Sequence, residues 1–138
     1  MRLAVLEEKI AKFDSFDLNG KTILIADDEF TVRFYYQEAY NDTGARLILA
    51  KNGKEAVELY QNHPEIDLVL LDARMPEKSG IVATSEILVL NPKALIFIQS
   101  ASTLQEDRDV ALATGCLAYI GKPINPETLL EVIQKYIK

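Results

Sequence analysis

The chain has 138 residues, about half of them apolar, with a formal net charge of −6 and one cysteine, Cys116. This length suits a single domain with a core of ordinary size. The negative charge argues against nucleic acid as the main partner, and a lone cysteine excludes an internal disulfide. No apolar run approaches the ~20 residues of a membrane span. We therefore expect a soluble, cytoplasmic protein without membrane contact.

The first segment has the pattern of an amphipathic helix over residues 2–14. Its apolar residues are spaced three, four and three positions apart, which places them on one helix face: Leu3, Leu6, Ile10 and Phe13. A helix this short is marginal in water by itself, so the apolar edge must pack on something. Self-association as a homodimer, a longer connecting helix and packing on its own domain all remain open. We divide the chain into this helix with its linker, residues 1–20, and a domain over residues 21–138.

From residue 21 onward, short apolar runs alternate with segments of helical periodicity. The predicted strands cover residues 22–26, 45–50, 66–72, 94–100 and 117–120. Helical patterns follow each strand, and the last begins at Asn125 with Pro126 behind it. Successive strand–helix units joined by right-handed crossovers form a parallel sheet with helices on both faces. The sequence therefore predicts a doubly wound α/β domain.

Polar side chains stand where four of these strands end, at Asp27 and Asp28, Asp72, Ser100 and Lys122. The carboxyl ends of parallel strands form one rim, where ligands bind. Two carboxylates about 4 Å apart repel by roughly 1 kcal/mol in water and by about 4 kcal/mol at an effective dielectric constant of 20. Gathering three carboxylates therefore calls for a cation, and hard oxygen ligands suit Mg²⁺. We predict a magnesium site at this rim.

Four motifs, in order, carry a likeness to a known family: ILIADDE, LVLLDARMPEKSG, FIQSA and AYIGKP. Together they resemble the receiver domains of two-component response regulators, and the likeness covers residues 21–138. It implies a flavodoxin-like (βα)5 fold with strand order 2-1-3-4-5, which the periodicity alone does not provide. The additional N-terminal helix is outside the family pattern.

The resemblance also implies a role for each acidic residue at the rim. Asp72 would be the phosphoacceptor, because a carboxylate is a competent nucleophile towards a phosphoryl group. Asp28, Asp72 and the backbone carbonyl of Arg74 would ligate Mg²⁺, and Asp27 would act largely through bound water. The domain would then promote only its own phosphorylation and dephosphorylation, and would not be an enzyme with a separate substrate.

The remaining rim residues would carry the signal. Lys122 would pair with the phosphoryl group, and Ser100 would hydrogen-bond to it after transfer. Tyr119 would be the switch residue, rotating in from solvent and changing the face made by the fourth helix, fifth strand and fifth helix. Arg74 and Ser102, each two residues beyond a site residue, would tune the phosphoryl lifetime.

The implied partners are a histidine kinase or phosphotransfer protein upstream and a protein partner downstream, and the chain could be the receiver of a hybrid histidine kinase. Two other functions remain open: a receiver-like binding module that is never phosphorylated, and a phosphohydrolase with an aspartyl nucleophile. Such hydrolases usually carry a second Asp two residues after the first, where this chain has Arg74. A dinucleotide-binding domain is disfavoured because no G-x-G-x-x-G follows the first strand.

The self-association hypothesis for the first helix predicts that removing residues 1–18 lowers the mass of the particle in solution. Light scattering of the full and shortened chains measures this directly. An unchanged mass would exclude the dimer and leave the other two interpretations.

Overall fold

The computed structural model describes residues 17–122 and 125–137, so the predicted helix over residues 2–14 and Pro123 lie outside it. Within these ranges the strands are β1 (Thr22–Ala26), β2 (Arg46–Ala50), β3 (Leu68–Asp72), β4 (Ile96–Ser100) and β5 (Ala118–Gly121). The α-helices are α1 (Phe30–Tyr40), α2 (Gly53–Asn62), α3 (Gly80–Leu90), α4 (Gln105–Ala113) and α5 (Pro126–Tyr136). Among these described helices, none has the length and apolar character needed to cross a membrane.

All five described strands are parallel and lie in the order β2-β1-β3-β4-β5. The predicted flavodoxin-like arrangement is therefore confirmed. Four of the predicted strand starts are early: those of β2 and β5 by one residue, and those of β3 and β4 by two, since β3 begins at Leu68 and β4 at Ile96. Before β4, the Ala94 N–H donates to the Asn91 carbonyl at 3.0 Å, so this residue belongs to the turn that follows α3.

Side chains cap three of the described helices at their N-termini, including the predicted start of α5 at Asn125. Asn52 accepts a hydrogen bond from the Glu55 N–H at 2.8 Å before α2, and Ser79 accepts one from the Val82 N–H before α3. Asn125 accepts from the second residue of α5 at 2.9 Å, with proline in the first turn. Each cap satisfies an N–H group that the helix itself leaves without a partner.

Helices cover both faces of the sheet, and alternate residues of each central strand point towards opposite faces. On one face, β1 and β3 pack against α1 and α5, in a cluster that includes Ile23, Ile25, Leu68, Leu70, Tyr40 and Leu130. On the other, they pack against α2, α3 and α4, in a cluster that includes Leu24, Val69, Leu71, Ala56, Ala83 and Ala111. The central strands therefore hold their carboxyl ends in a fixed position.

Leu18 is part of the cluster on the α1 and α5 face, although it precedes β1. It is 1% exposed, and its N–H donates to the Thr43 carbonyl at 2.8 Å. A truncation that tests the N-terminal helix should therefore end at residue 16, so that Leu18 is kept.

Gly80 lets α3 begin directly against the backbone of the central strand. A Cβ atom added there would lie 2.0 Å from the Asp72 carbonyl oxygen and 2.8 Å from its carbonyl carbon. The Gly80 N–H also donates to the Ala73 carbonyl at 3.0 Å. This close approach fixes the loop that leaves Asp72, and the clash would be with backbone atoms that have no freedom to move aside.

We expect Gly80→Ala to destabilise the fold by roughly 3 kcal/mol, at the upper end of overpacking effects. Urea unfolding followed by circular dichroism measures the change. Gly121→Ala is the matched control, because a Cβ at Gly121 would meet no atom within 4 Å. Equal midpoints for both variants would contradict the packing argument.

Candidate functional site

The register of the sheet brings the predicted acidic residues together. Ala26 of β1 lies opposite Leu71 of β3, so the residues that follow, Asp27 and Asp72, leave the sheet side by side. With Asp28, they place three carboxylate oxygens within 4.8 Å of one another. The three are in different environments, since Asp27 and Asp72 are buried and Asp28 is exposed.

Lys122 reaches into this cluster from the end of β5. Its Nζ lies 2.7 Å from Asp27 Oδ2 and 3.2 Å from Asp72 Oδ1. The Lys122 backbone N–H donates to the Ser100 carbonyl at 2.8 Å, which ties the end of β5 to the end of β4. The ammonium group thus sits between two carboxylates and balances one of the three negative charges.

Asp27 is fully buried and is held at both carboxylate oxygens. Oδ1 accepts a hydrogen bond from the Glu29 N–H at 3.0 Å, and Oδ2 accepts one from Lys122. Its backbone carbonyl accepts from Arg33 Nη1 at 2.8 Å. These contacts fix the side chain and leave the Asp28 and Asp72 carboxylates better placed to meet a ligand.

The acidic cluster opens onto a cleft of about 570 Å³. The cleft is lined by Asp28, Glu29, Asp72, Arg74, Ser100, Ala101, Ser102 and Lys122. The Ser100 Oγ accepts the Ser102 N–H at 3.1 Å, so its own proton is available to donate. The structure therefore places Asp72, Ser100, Lys122 and the loop containing Arg74 around one space, as the sequence predicts.

The donor set fits a hard divalent cation. Three carboxylates with oxygens within 4.8 Å carry three negative charges, of which Lys122 balances one. Oxygen ligands beside an open cleft suit Mg²⁺, which keeps several waters when it binds to proteins. The residues at this rim are therefore compatible with the predicted metal.

Comparisons with known proteins decide the family. The model of the response regulator receiver domain family matches residues 23–134. This chain belongs to that family. It is a phosphoacceptor signalling domain of two-component systems.

Individual relatives agree with the family match. The chain is 35% identical over 120 residues to chemotaxis protein CheY of Thermotoga maritima, covering 86% of this chain and 99% of that protein. It is 34% identical over 113 residues to transcriptional regulatory protein ZraR of Escherichia coli, covering 82% of this chain but 25% of that protein. A crystal structure of the CheX–CheY–BeF3–Mg²⁺ complex from Borrelia burgdorferi aligns with a TM-score of 0.78 and 31% identity, covering 92% of this chain and 99% of that one.

The Asp72 carboxyl is harder to ionise than an ordinary aspartate when no metal is bound. Burial raises the pKa of Asp72 from 3.8 to about 6. Lys122 opposes the rise, and the negative charges of Asp27 and Asp28 add to it. Burial also lowers the pKa of Lys122, but its hydrogen bond to Asp27 and the charge of Asp72 more than compensate, so that pKa is raised. The ammonium group therefore stays charged while Asp72 titrates.

The predicted switch residue, Tyr119, is half-buried on β5. Its hydroxyl donates to the Ser102 carbonyl at 2.9 Å. The ring lines a cavity of about 110 Å³ together with Ser100 and Ala73. In this structure the ring is therefore already turned towards the site and does not point into solvent, and Ser102 links it to Ser100.

Two buried polar residues near the site, Tyr36 and Gln99, were not predicted from the sequence. The Tyr36 hydroxyl donates to Gln99 Oε1 at 2.5 Å, in a buried contact between α1 and β4. Gln99 lies opposite Asp72 in the register, and its Nε2 has no hydrogen-bond partner among the described residues. Burial, reinforced by the charge of Asp27, raises the pKa of Tyr36, so it remains a neutral donor. The available signal was a glutamine inside an otherwise apolar strand.

We expect Asp72→Asn to stabilise the metal-free domain at pH 7.5 and to have no such effect near pH 3.5. The folded-state pKa of about 6 lies above the ordinary aspartate value of 3.8, so folding disfavours the charged form. The resulting loss of folding stability is absent below pH 3.8. It grows as pH rises from 3.8 to about 6 and then levels off, at on the order of 3 kcal/mol.

Thermal unfolding in EDTA at the two pH values measures this difference. Asp42→Asn removes an exposed carboxylate remote from the rim and serves as the control. If Asp72→Asn and wild type melt together at pH 7.5, the raised pKa is refuted.

Proposed function

We propose that Asp72 is the residue that accepts the phosphoryl group in this receiver domain. One observation carries the proposal: Asp72 ends the central strand, beside Asp27 and Asp28 and 3.2 Å from the Lys122 ammonium group, at the floor of an open cleft. Neither neighbouring carboxylate is as well placed to attack, since Asp27 is engaged at both oxygens and Asp28 is exposed at the rim.

The transfer forms a bond between an Asp72 oxygen and phosphorus while the bond from phosphorus to the donor breaks. The donor keeps the electron pair of that bond. Lys122 would move from the Asp72 carboxylate to the phosphoryl oxygens, as its length and its contact with Asp72 allow. Ser100 would donate its free proton to another phosphoryl oxygen.

The residues that would hold Mg²⁺ are Asp28, Asp72 and the backbone carbonyl of Arg74. Asp27 would contribute through bound water, because both of its carboxylate oxygens already have partners. When bound, the metal would neutralise the acidic cluster and the developing charge on the phosphoryl oxygens. This arrangement also explains why the fold tolerates three carboxylates at one rim.

The signal would leave the site through Ser100, Ser102 and Tyr119, which are already joined by hydrogen bonds. A change at Ser100 moves the loop between β4 and α4, and Tyr119 moves with it. The face made by α4, β5 and α5 would change, and exposed apolar side chains in and beside α4 and β5, including Leu104, Val110 and Leu117, could contact a protein partner. Arg74 and Ser102 would tune the phosphoryl lifetime.

We propose a histidine kinase or phosphotransfer protein as the phosphodonor and a protein as the downstream partner, in the cytoplasm and without direct nucleic-acid contact. The Borrelia relative supports a protein partner, since its structure is a complex with CheX. The chemistry would end at the aspartyl phosphate and its hydrolysis, without turnover of a separate substrate. Residues 21–138 would form the receiver, and the helix predicted before them would form a homodimer, connect to another domain or pack on its own domain.

Intact mass after incubation with Mg²⁺ and acetyl phosphate tests the phosphoacceptor. We expect one phosphoryl adduct in wild type and none in Asp72→Asn, which keeps the shape but not the attacking charge. Asp28→Ala should react at least about tenfold more slowly, since it loses a metal ligand. Asp42→Asn, remote from the rim, should behave as wild type.

An adduct mapped to another residue would refute the assignment to Asp72. The absence of any adduct would favour a receiver-like binding module. Sustained release of phosphate far beyond one equivalent would favour a hydrolase.

A further inference from the structure

Asp107, in the first turn of α4, connects two loops at the mouth of the cleft. Its Oδ2 accepts a hydrogen bond from the Ser102 hydroxyl, and the same oxygen lies 3.7 Å from Arg74 Nη2. Ser102 is in the loop after β4, and Arg74 is in the loop after β3. One carboxylate oxygen therefore contacts both loops, through Ser102 in one and Arg74 in the other.

The Ser102 end of this contact is firmly held. The Ser102 N–H donates to Ser100 Oγ, its hydroxyl donates to Asp107 and accepts the Leu104 N–H at 3.2 Å, and its carbonyl accepts from Tyr119. The Asp107 carboxylate is thus positioned through Ser102. An acidic residue in the first turn stabilises a helix in any case, and Glu106 does so too, but Asp107 is the one with loop contacts.

The ion pair between Arg74 and Asp107 is weak. Its side chain is 82% exposed, and an exposed ion pair at 3.7 Å contributes little stability. A phosphoryl group on Asp72 would bring about two negative charges and three acceptor oxygens to the cleft that Arg74 lines. The planar guanidinium can bind such oxygens in pairs, so the phosphoryl group and Asp107 compete for it.

We propose that Asp107 is a positioning residue that holds Arg74 away from the phosphoryl group and thereby shortens the phosphoryl lifetime. This inference rests on Asp72 being the phosphoacceptor. In hydrolysis a water oxygen bonds to phosphorus, the bond from phosphorus to Asp72 breaks, the carboxylate keeps the electron pair, and a water proton passes to solvent. Arg74 bound over the phosphoryl oxygens occupies space from which that water approaches, and Asp107 keeps it aside.

The decay of the adduct after removal of acetyl phosphate, at constant pH and Mg²⁺, measures the effect. We expect Asp107→Asn to slow the decay roughly two- to fivefold, the range that competition with one exposed ion pair allows. Asp109→Asn removes the same charge from the same helix, at a carboxylate that accepts a hydrogen bond from Gln105 and not from either loop, and it should decay as wild type. Asp107→Glu keeps the charge beside Arg74 and should also stay close to wild type.

A double-mutant cycle separates positioning from a general structural effect. In an Arg74→Ala background, Asp107→Asn should change the decay by less than about 1.5-fold, because the competitor is gone. An undiminished effect in that background, or equal decay of wild type and Asp107→Asn, overturns the inference while leaving Asp72 as acceptor. If wild type forms no adduct on Asp72, the proposed function fails and this inference fails with it.

Discussion

The repulsion among three carboxylates at the end of two neighbouring strands is the constraint on which the rest of this structure depends. The register between β1 and β3 forces Asp27 and Asp72 together, and Asp28 follows directly. Burial, together with the charges of Asp27 and Asp28, raises the pKa of Asp72 to about 6, and Lys122 opposes this rise only in part. A site with this excess of negative charge is prepared for a cation and for the transfer of a group that the cation and Lys122 can neutralise together.

Such a site survives because the structure beneath it is rigid. Both faces of β1 and β3 are covered by apolar side chains, so the strand ends cannot separate to relieve the repulsion without exposing core. The close approach of Gly80 to the Asp72 carbonyl adds a second restraint, on the loop that leaves the strand. The packing of the core thus offsets the destabilising repulsion among the carboxylates, as strained functional sites generally require.

Hydrogen bonds join the site to its surroundings through one loop. Ser102 contacts Ser100 towards the cleft, Tyr119 towards β5 and Asp107 towards α4. Because the same residue contacts all three elements, a change in the hydrogen bonding of Ser100 cannot remain local. In the proposed mechanism, overlapping contacts would therefore govern both the switch face and the lifetime of the phosphoryl group, and a substitution in this loop would affect both.

The sequence by itself determined the alternation of strands and helices, the start of the last helix at Asn125 and the polar strand ends, because these depend on local side-chain patterns. It did not determine which strands are neighbours, and that order came from the likeness to a family. Only the tertiary structure placed Leu18 in the core, joined Tyr36 to Gln99 across 63 residues and brought Arg74 to Asp107. Contacts of this kind depend on how distant segments pack, and no local periodicity records the distance between two loops that meet only after the sheet has formed.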